Sequence, residues 1–285
     1  MAASPLLAEK GSTEFQVGCM TLPYAGFSWA RALRGIRSAG YRYVAWGTTH
    51  MNGGQREPVI ALEAPPERAR KLAAQCKGEG LTPLMMFSTV MLEAEAAIEG
   101  HKLRIAQASA AGIPFLLTFG KTGGGEYGNV ISCLKHIAPV ARDAGVTVLI
   151  KQHGGNTATG EDCAKILGEV GDTGVKICYD AGNVLDYENR DPIADIKKCW
   201  PDVRAFAIKD HRNWPKDEDC GPGLGEIDHY RLLEPVMKLG FKMPLVCENI
   251  FEPLVARPKS AEAVDALARR AREFVETVVA GLQRV

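Results

Sequence analysis

The chain has 285 residues, of which 46% are hydrophobic and 24% are charged, and its formal net charge is zero. This composition is typical of a soluble globular protein of enzyme size. The balanced charge argues against a nucleic-acid-binding surface and an acidic tail. No apolar run approaches the length of a membrane span, and the first ten residues lack the basic and apolar regions of a signal peptide.

Eight cysteines are scattered along the chain, and none of them forms a C-x-x-C pair. Several lie within apolar strand or helix patterns. A disulfide framework is typical of shorter secreted chains. We therefore expect buried, reduced thiols in a cytoplasmic protein.

Strand and helix patterns alternate along the chain after a predicted tail at residues 1–13. Strand patterns occur at residues 15–20, 41–46, 81–87, 113–119, within 146–153, and at 175–180, 204–209 and 244–248. Helix patterns occur at residues 28–40, 65–80, 93–112, 129–145 and 159–171, from 191, at 228–240, and from 260. The stretch from 211 to 226 is predicted to be a long loop.

This alternation predicts a parallel sheet, because a helix connects each strand to the next. Eight such units in a chain of this length favour one closed (β/α)8 barrel domain over residues 14–285. A doubly wound open sheet is the alternative. No glycine fingerprint for a dinucleotide follows the first strand to support it.

Polar side chains follow the apolar runs of four successive strands, at the point where each strand ends. They are Lys151 and His153, then Asp180, then Lys209 and His211, and finally Glu248. The carboxyl ends of barrel strands form the active face of this fold. A second interpretation is that these residues cap the following helices or bind water.

The fifth and seventh strands end in similar motifs, K-Q-H and K-D-H. Alternate barrel strands supply side chains to the same interior layer. We therefore expect Lys151 and Lys209 to approach each other at the mouth, close to Asp180 and Glu248. Unpaired buried charges are costly, so the ammonium groups and carboxylates should pair.

Other residues are weaker candidates for substrate contacts. His50 follows the second strand, and Glu226 closes the long loop after the seventh. Trp46 is placed either to stack on a sugar ring or to pack in the core. With these, we predict Asn183 and His211 as substrate-binding residues.

Four strand ends carry the motifs K-Q-H-G-G-N, Y-D-A-G-N, A-I-K-D-H and L-V-C-E, and G-x-G-x-I-D comes before the last. Together these motifs resemble those of one family. It is the xylose isomerase-like TIM barrels of the sugar phosphate isomerase/epimerase superfamily, and the resemblance covers about residues 15–280. It implies a divalent metal, Mn, Mg or Zn, held by two glutamates, an aspartate and a histidine. Asp180 and Glu248 match the aspartate and the second glutamate.

The chain departs from the resembled pattern at the other ligand positions. Lys151 stands at the first glutamate, Ala207 at the histidine, and Asn183 where a further histidine often follows the aspartate. A protonated lysine offers no lone pair to a metal. Two alternatives follow. Either the Lys151 ammonium takes the place of the metal, or the imidazoles of the K-Q-H and K-D-H motifs, His153 and His211, replace the lost ligands.

The resemblance implies a sugar isomerase or epimerase that abstracts a proton next to a carbonyl. Glu248 is then the expected general base, Lys151, Lys209 or a metal stabilises the oxyanion, and His153 or His211 relays a proton. The alternatives are a lyase or dehydratase, Schiff-base chemistry on a lysine of lowered pKa, and a non-catalytic sugar-binding barrel. The expected partner is a small sugar-like molecule, with a homo-oligomer possible.

Overall fold

Eight parallel strands close into a barrel in the computed structural model of the chain, which describes residues 11–283. Most of the predicted tail, residues 1–10, lies outside the described part. The strands are β1 (Glu14–Met20), β2 (Tyr43–Trp46), β3 (Thr82–Phe87), β4 (Phe115–Thr118), β5 (Thr147–Lys151), β6 (Val175–Tyr179), β7 (Val203–Ile208) and β8 (Lys242–Cys247). Each strand pairs with its neighbours in the chain, and β8 pairs with β1. The predicted (β/α)8 barrel is confirmed.

Helices surround the barrel and connect successive strands. They are α1 (Trp29–Ser38), α2 (Pro66–Gly78), α3 (Ala97–Ala111), α4 (Tyr127–Asp143), α5 (Gly160–Val170), α6 (Ala181–Glu188), α7 (Pro192–Ile196), α8 (His229–Leu233) and α9 (Ala261–Leu282). The side chains of Ser28, Thr159, Asp228 and Ser260 cap the helices that follow them. No helix within residues 11–283 is long and apolar enough to cross a membrane.

Two helix predictions differ from the structure. The sequence pattern predicts no helix between the sixth strand and residue 191, yet α6 begins directly after Asp180, whose carboxylate accepts the Asn183 backbone N–H at 3.0 Å. The helix expected over 228–240 stops at Leu233 and continues only as a short 3-10 turn. Pro235 lies within that turn and has no N–H to continue an α-helix.

Apolar side chains fill two layers, one inside the barrel and one between the barrel and its helices. The interior layer includes Leu149, Cys178, Ala207 and Val246. Side chains two residues apart on a strand share a face. The residue two positions after each of these interior side chains therefore also points into the barrel, at its carboxyl end. These residues are Lys151, Asp180, Lys209 and Glu248.

Two β-hairpins extend beyond the carboxyl ends of the strands. One pairs Thr49–Asn52 with Gln55–Pro58 after β2, and the other pairs Asp210–Arg212 with Glu218–Cys220 after β7. Except for Asp210, the second hairpin lies within residues 211–226, which were predicted as a loop, so that prediction is wrong for its strands. Asp210 holds the segment in place, since its carboxylate accepts the backbone N–H groups of His211, Gly223 and Ile227.

All eight cysteines are buried and unpaired. Burial raises the pKa of several of their thiols, that of Cys76 to about 12 and that of Cys247 to about 12. A thiol that stays protonated at neutral pH is a poor nucleophile and metal ligand. The expected burial of the cysteines is confirmed.

Candidate active site at the barrel mouth

An ammonium group lies between two carboxylates at the carboxyl ends of β5, β6 and β8. The Nζ of Lys151 donates to Asp180 Oδ2 at 2.7 Å and to both oxygens of Glu248, at 3.0 Å and 2.8 Å. The Lys151 and Asp180 side chains are 2% and 0% exposed, while that of Glu248 is 14% exposed. We call these three residues the Lys151 centre. Its geometry bears out the expected pairing of buried charges.

Asp180 is held from several directions. Its Oδ1 accepts the Asn183 N–H, and its own backbone N–H donates to Gln152 Oε1 at 2.8 Å. The Nδ2 of Asn183 donates to the Gln152 carbonyl at 2.6 Å. These contacts fix the carboxylate at the start of α6, and through it they orient the Lys151 ammonium.

The sequence predicts that Lys209 also pairs with the carboxylates of the Lys151 centre, but its ammonium pairs with Asp219 instead. Its Nζ donates to Asp219 Oδ2 at 2.5 Å, on the second hairpin. Its aliphatic chain packs against the start of α6, where a Cβ on Gly182 would lie 2.5 Å from Lys209 Cε. Lys209 is therefore confined between α6 and the hairpin.

The ionisation states follow from burial and from the opposed charges. Burial lowers the pKa of Lys151, but Asp180 and Glu248 raise it by more, so the net shift is upward. Lys209 also has a raised pKa, because the same two carboxylates outweigh its burial. Burial raises the pKa of Asp180, yet the two lysines bring it below its usual value. At neutral pH the site therefore holds two ammonium groups and the ionised carboxylate of Asp180.

The raised pKa values bear on Schiff-base chemistry, which needs a neutral amine. The sequence alternative assumed a lysine whose pKa is lowered. Lys151 and Lys209 are both shifted in the opposite direction. Their environment favours the charged form and argues against a nucleophilic amine.

His153 lies at the mouth near Lys151. Its ring stacks on Phe119 with centroids 4.1 Å apart, and its Nδ1 is 3.0 Å from the Thr122 hydroxyl. The Lys151 Nζ is 5.8 Å from the centre of the same Phe119 ring. Burial and the Lys151 charge lower the pKa of His153, so its imidazole is neutral at neutral pH.

Other predicted residues lie elsewhere. Trp46 is 1% exposed and packs between the barrel and the helices, with its ring edge against Trp29. His50 is buried in the first hairpin, and its Nδ1 is 3.1 Å from the Phe27 carbonyl. Glu226 is exposed and accepts the backbone N–H of Asn213 at 2.8 Å. None of these contacts joins the Lys151 centre.

His211 is buried in the second hairpin and does not reach the Lys151 centre either. Its Nδ1 lies 3.2 Å from Asp219 Oδ1 and 4.0 Å from Asp186 Oδ1. The sequence interpretation missed both aspartates. Asp219 falls in the segment predicted as a loop, and Asp186 falls in α6, where the sequence pattern predicts no helix. The only feature of the sequence that pointed to these two aspartates was the charged composition of the two segments.

The donor set of the Lys151 centre does not fit a divalent metal. A metal shared by Asp180 and Glu248 would occupy the space where the Lys151 ammonium contacts both carboxylates. Ala207, at the position of the resembled histidine, offers a methyl group to the barrel interior. The first sequence alternative, an ammonium in place of the metal, agrees with this geometry.

Comparisons with known proteins support the fold. The Methylomonas sp. D-allulose 3-epimerase in complex with D-allulose has a TM-score of 0.69 and 17% identity, over 95% of this chain and 99% of that chain. A D-tagatose 3-epimerase-like protein has a TM-score of 0.72 and 14% identity, over 94% and 98%. A Mycobacterium smegmatis xylose isomerase-like TIM barrel protein in complex with magnesium has a TM-score of 0.70 and 13% identity, over 92% and 97%.

The search of curated proteins finds no match in sequence. The model of the family described as "Xylose isomerase-like TIM barrel" matches residues 33–274, which includes every strand from β2 to β8. That range also contains each member of the Lys151 centre. The chain belongs to the xylose isomerase-like TIM barrel family.

Proposed function

We propose that the protein is an isomerase or epimerase that moves a proton on the carbon next to the carbonyl of a sugar or keto-sugar. The Lys151 centre carries this proposal, because it brings a partly exposed carboxylate and a fixed positive charge together at the barrel mouth. Structural neighbours of the same fold include D-allulose and L-ribulose 3-epimerases. Their substrates supply the chemical class to test.

Glu248 is the proposed general base. It is the more exposed carboxylate of the centre, whereas Asp180 is fully buried and engaged by Lys151 and Asn183. Glu248 takes the proton from the substrate carbon, and the electron pair of the C–H bond moves into the enediolate. Return of the proton to the same or the adjacent carbon completes the reaction.

Lys151 is the proposed oxyanion stabiliser. Charge develops on the carbonyl oxygen as the proton leaves, and a preorganised ammonium in a buried site stabilises it. Asp180 positions Lys151 through the 2.7 Å hydrogen bond. Lys209 adds a second positive charge, and the neutral His153 is suited to proton exchange with a substrate hydroxyl.

A lyase or dehydratase is the second candidate, and one observation favours it. Epimerisation commonly uses a base on each face of the substrate, but Lys151 is protonated and stands at the position of the resembled first glutamate. Glu248 is then a single base. Elimination of a β-hydroxyl needs one base and one acid, and this centre has both.

The test is hydrogen exchange on a panel of keto-sugars. D-Allulose, D-fructose, D-tagatose and L-ribulose are incubated with enzyme in deuterium oxide, and deuterium at the carbon next to the carbonyl is measured by NMR. We expect exchange with at least one sugar and a Glu248→Gln loss of about 10²–10⁴-fold, the usual contribution of a general base. Glu252→Gln, on an exposed glutamate four residues later, is the matched control and should keep full activity.

The same experiment separates the candidate functions. A new epimer or isomer supports the first proposal, and a dehydrated product supports the second. Exchange that persists at the wild-type rate in Glu248→Gln contradicts the assigned base. Sugar binding without exchange or product on the whole panel would favour a non-catalytic barrel.

A further inference from the structure

A second cluster of metal-ligating side chains lies next to the Lys151 centre. It consists of Asp186 on α6 and His211 and Asp219 on the second hairpin, and we call it the outer cluster. One ligand atom from each of the three residues lies within 4.8 Å of those of the other two. The outer cluster shares no residue with the Lys151 centre.

We infer that the outer cluster is a binding site for a divalent transition-metal ion such as Mn²⁺ or Zn²⁺. Two carboxylates and one imidazole are a ligand set that suits such ions, and the remaining coordination positions are left to water or to an oxygen of a substrate. The inference does not depend on the reaction proposed for the Lys151 centre.

The state of His211 is the first argument. Its side chain is 1% exposed, and its Nδ1 faces the two aspartates of the outer cluster. Its buried Nε2 has no hydrogen-bond partner, although Asp217 Oδ1 lies 3.3 Å away. A metal on Nδ1 places the ring proton on Nε2, facing that carboxylate. Histidines that bind metals commonly present their second nitrogen to a carboxylate in this way.

The charge of the region is the second argument. Asp186, Asp217 and Asp219 surround His211, and among residues 11–283 one ammonium, that of Lys209, pairs with a member of this group, Asp219. Three carboxylates against one ammonium leave two negative charges, which a divalent cation compensates.

A further oxygen donor lies on the same side of α6. Asn183 precedes Asp186 by three residues, so the two side chains share a helix face. Asn183 is 2% exposed, and its Oδ1 has no hydrogen-bond partner in the described residues. A buried amide oxygen without a partner is costly, and a nearby cation satisfies it.

In the test, chelator-treated full-length protein is titrated with Mn²⁺ alone. Binding is measured by calorimetry and by the electron paramagnetic resonance signal of the free Mn²⁺. We expect one Mn²⁺ per chain, bound on the order of 100-fold more weakly in both His211→Gln and Asp219→Asn. Asp143→Asn, on an exposed aspartate, is the matched control and should bind as the wild type does. Circular dichroism checks the fold, and Asp186→Asn replaces either variant that fails to fold.

Asp180→Asn separates this site from the position of the resembled metal. If the inference is right, this variant keeps Mn²⁺ binding, and Co²⁺ gives the visible bands of a nitrogen and oxygen site that His211→Gln abolishes. The inference is overturned if the wild type binds no stoichiometric Mn²⁺. It is also overturned if binding survives in the outer-cluster variants but is lost in Asp180→Asn.

Discussion

Replacing Lys151 by methionine should destabilise the protein strongly. Methionine keeps much of the side-chain volume but removes the ammonium that contacts Asp180 and Glu248 at 2.7–3.0 Å. Removing one partner of a buried ion pair costs about 3–5 kcal/mol, because the other charge is left uncompensated. Lys209 still interacts with both carboxylates, and Glu248 is partly exposed to water. We therefore expect a loss at the lower end, about 3 kcal/mol.

The free energy of unfolding, measured by urea denaturation and circular dichroism, tests this estimate. The control is Lys176→Met, since Lys176 pairs with Asp202 at 2.6 Å but the two side chains are 21% and 38% exposed. An exposed pair of this kind contributes about 0–1 kcal/mol. The double variant Lys151→Met/Asp180→Asn should recover most of the loss, because it removes the unpaired buried charge. A loss in Lys151→Met no greater than in the control would refute the reasoning.

Three other predictions concern the surroundings of the Lys151 centre. The folded-state pKa of Asp180 is lowered, so its stabilisation is present above the unfolded value of about 3.9 and is lost as the pH falls further. Asp180→Asn should flatten the decline of unfolding free energy below about pH 4, and an unchanged slope would contradict this. Gln152→Ala leaves the buried Asp180 N–H unpaired and should cost about 1–3 kcal/mol in urea denaturation; a loss below 0.5 kcal/mol, roughly that of a surface substitution, would count against it. Gly182→Ala crowds Lys209 and should lower both the free energy of unfolding and turnover. Its control is Gly168→Ala, whose added Cβ meets nothing within 4 Å and should be neutral or stabilising. Equal effects of the two substitutions would contradict the confinement of Lys209.

The barrel was predictable because its signals are local and repeated. Each strand is a short apolar run, and each is followed by a helix pattern that ends at a glycine or polar residue. The period of two along a strand also places Lys151, Asp180 and Glu248 on the interior face at the same end. The sequence thus predicts the ion pairs of the Lys151 centre, since only pairing makes such burial tolerable.

The second hairpin and α6 were not predictable in the same way. The hairpin strands have three residues each and no apolar alternation, and they are held by three backbone N–H bonds to Asp210. The first turn of α6 contains Gly182 and Asn183, and the sequence pattern predicts no helix there. The outer cluster joins these two segments, so its members could be brought together only by the structure.

Trp46 shows how one residue of strand register decides a role. Ala45 lies in the barrel interior, so the next side chain on β2 must point outward into the helix layer. The sequence left sugar stacking and core packing open for Trp46. Its place between barrel and helices supports core packing.

The covalent attachment of the Lys151 ammonium has a consequence for how the site is supplied with charge. A bound metal is a separate molecule whose occupancy depends on its concentration and on competing ions. The Lys151 cation arrives with the chain, so every folded copy carries it and no assembly step is needed. The ammonium carries one positive charge, whereas a divalent metal carries two. It donates hydrogen bonds, whereas a metal offers open coordination positions. Because its three N–H groups already donate to Asp180 and Glu248, it acts on any ligand at this mouth through its fixed charge.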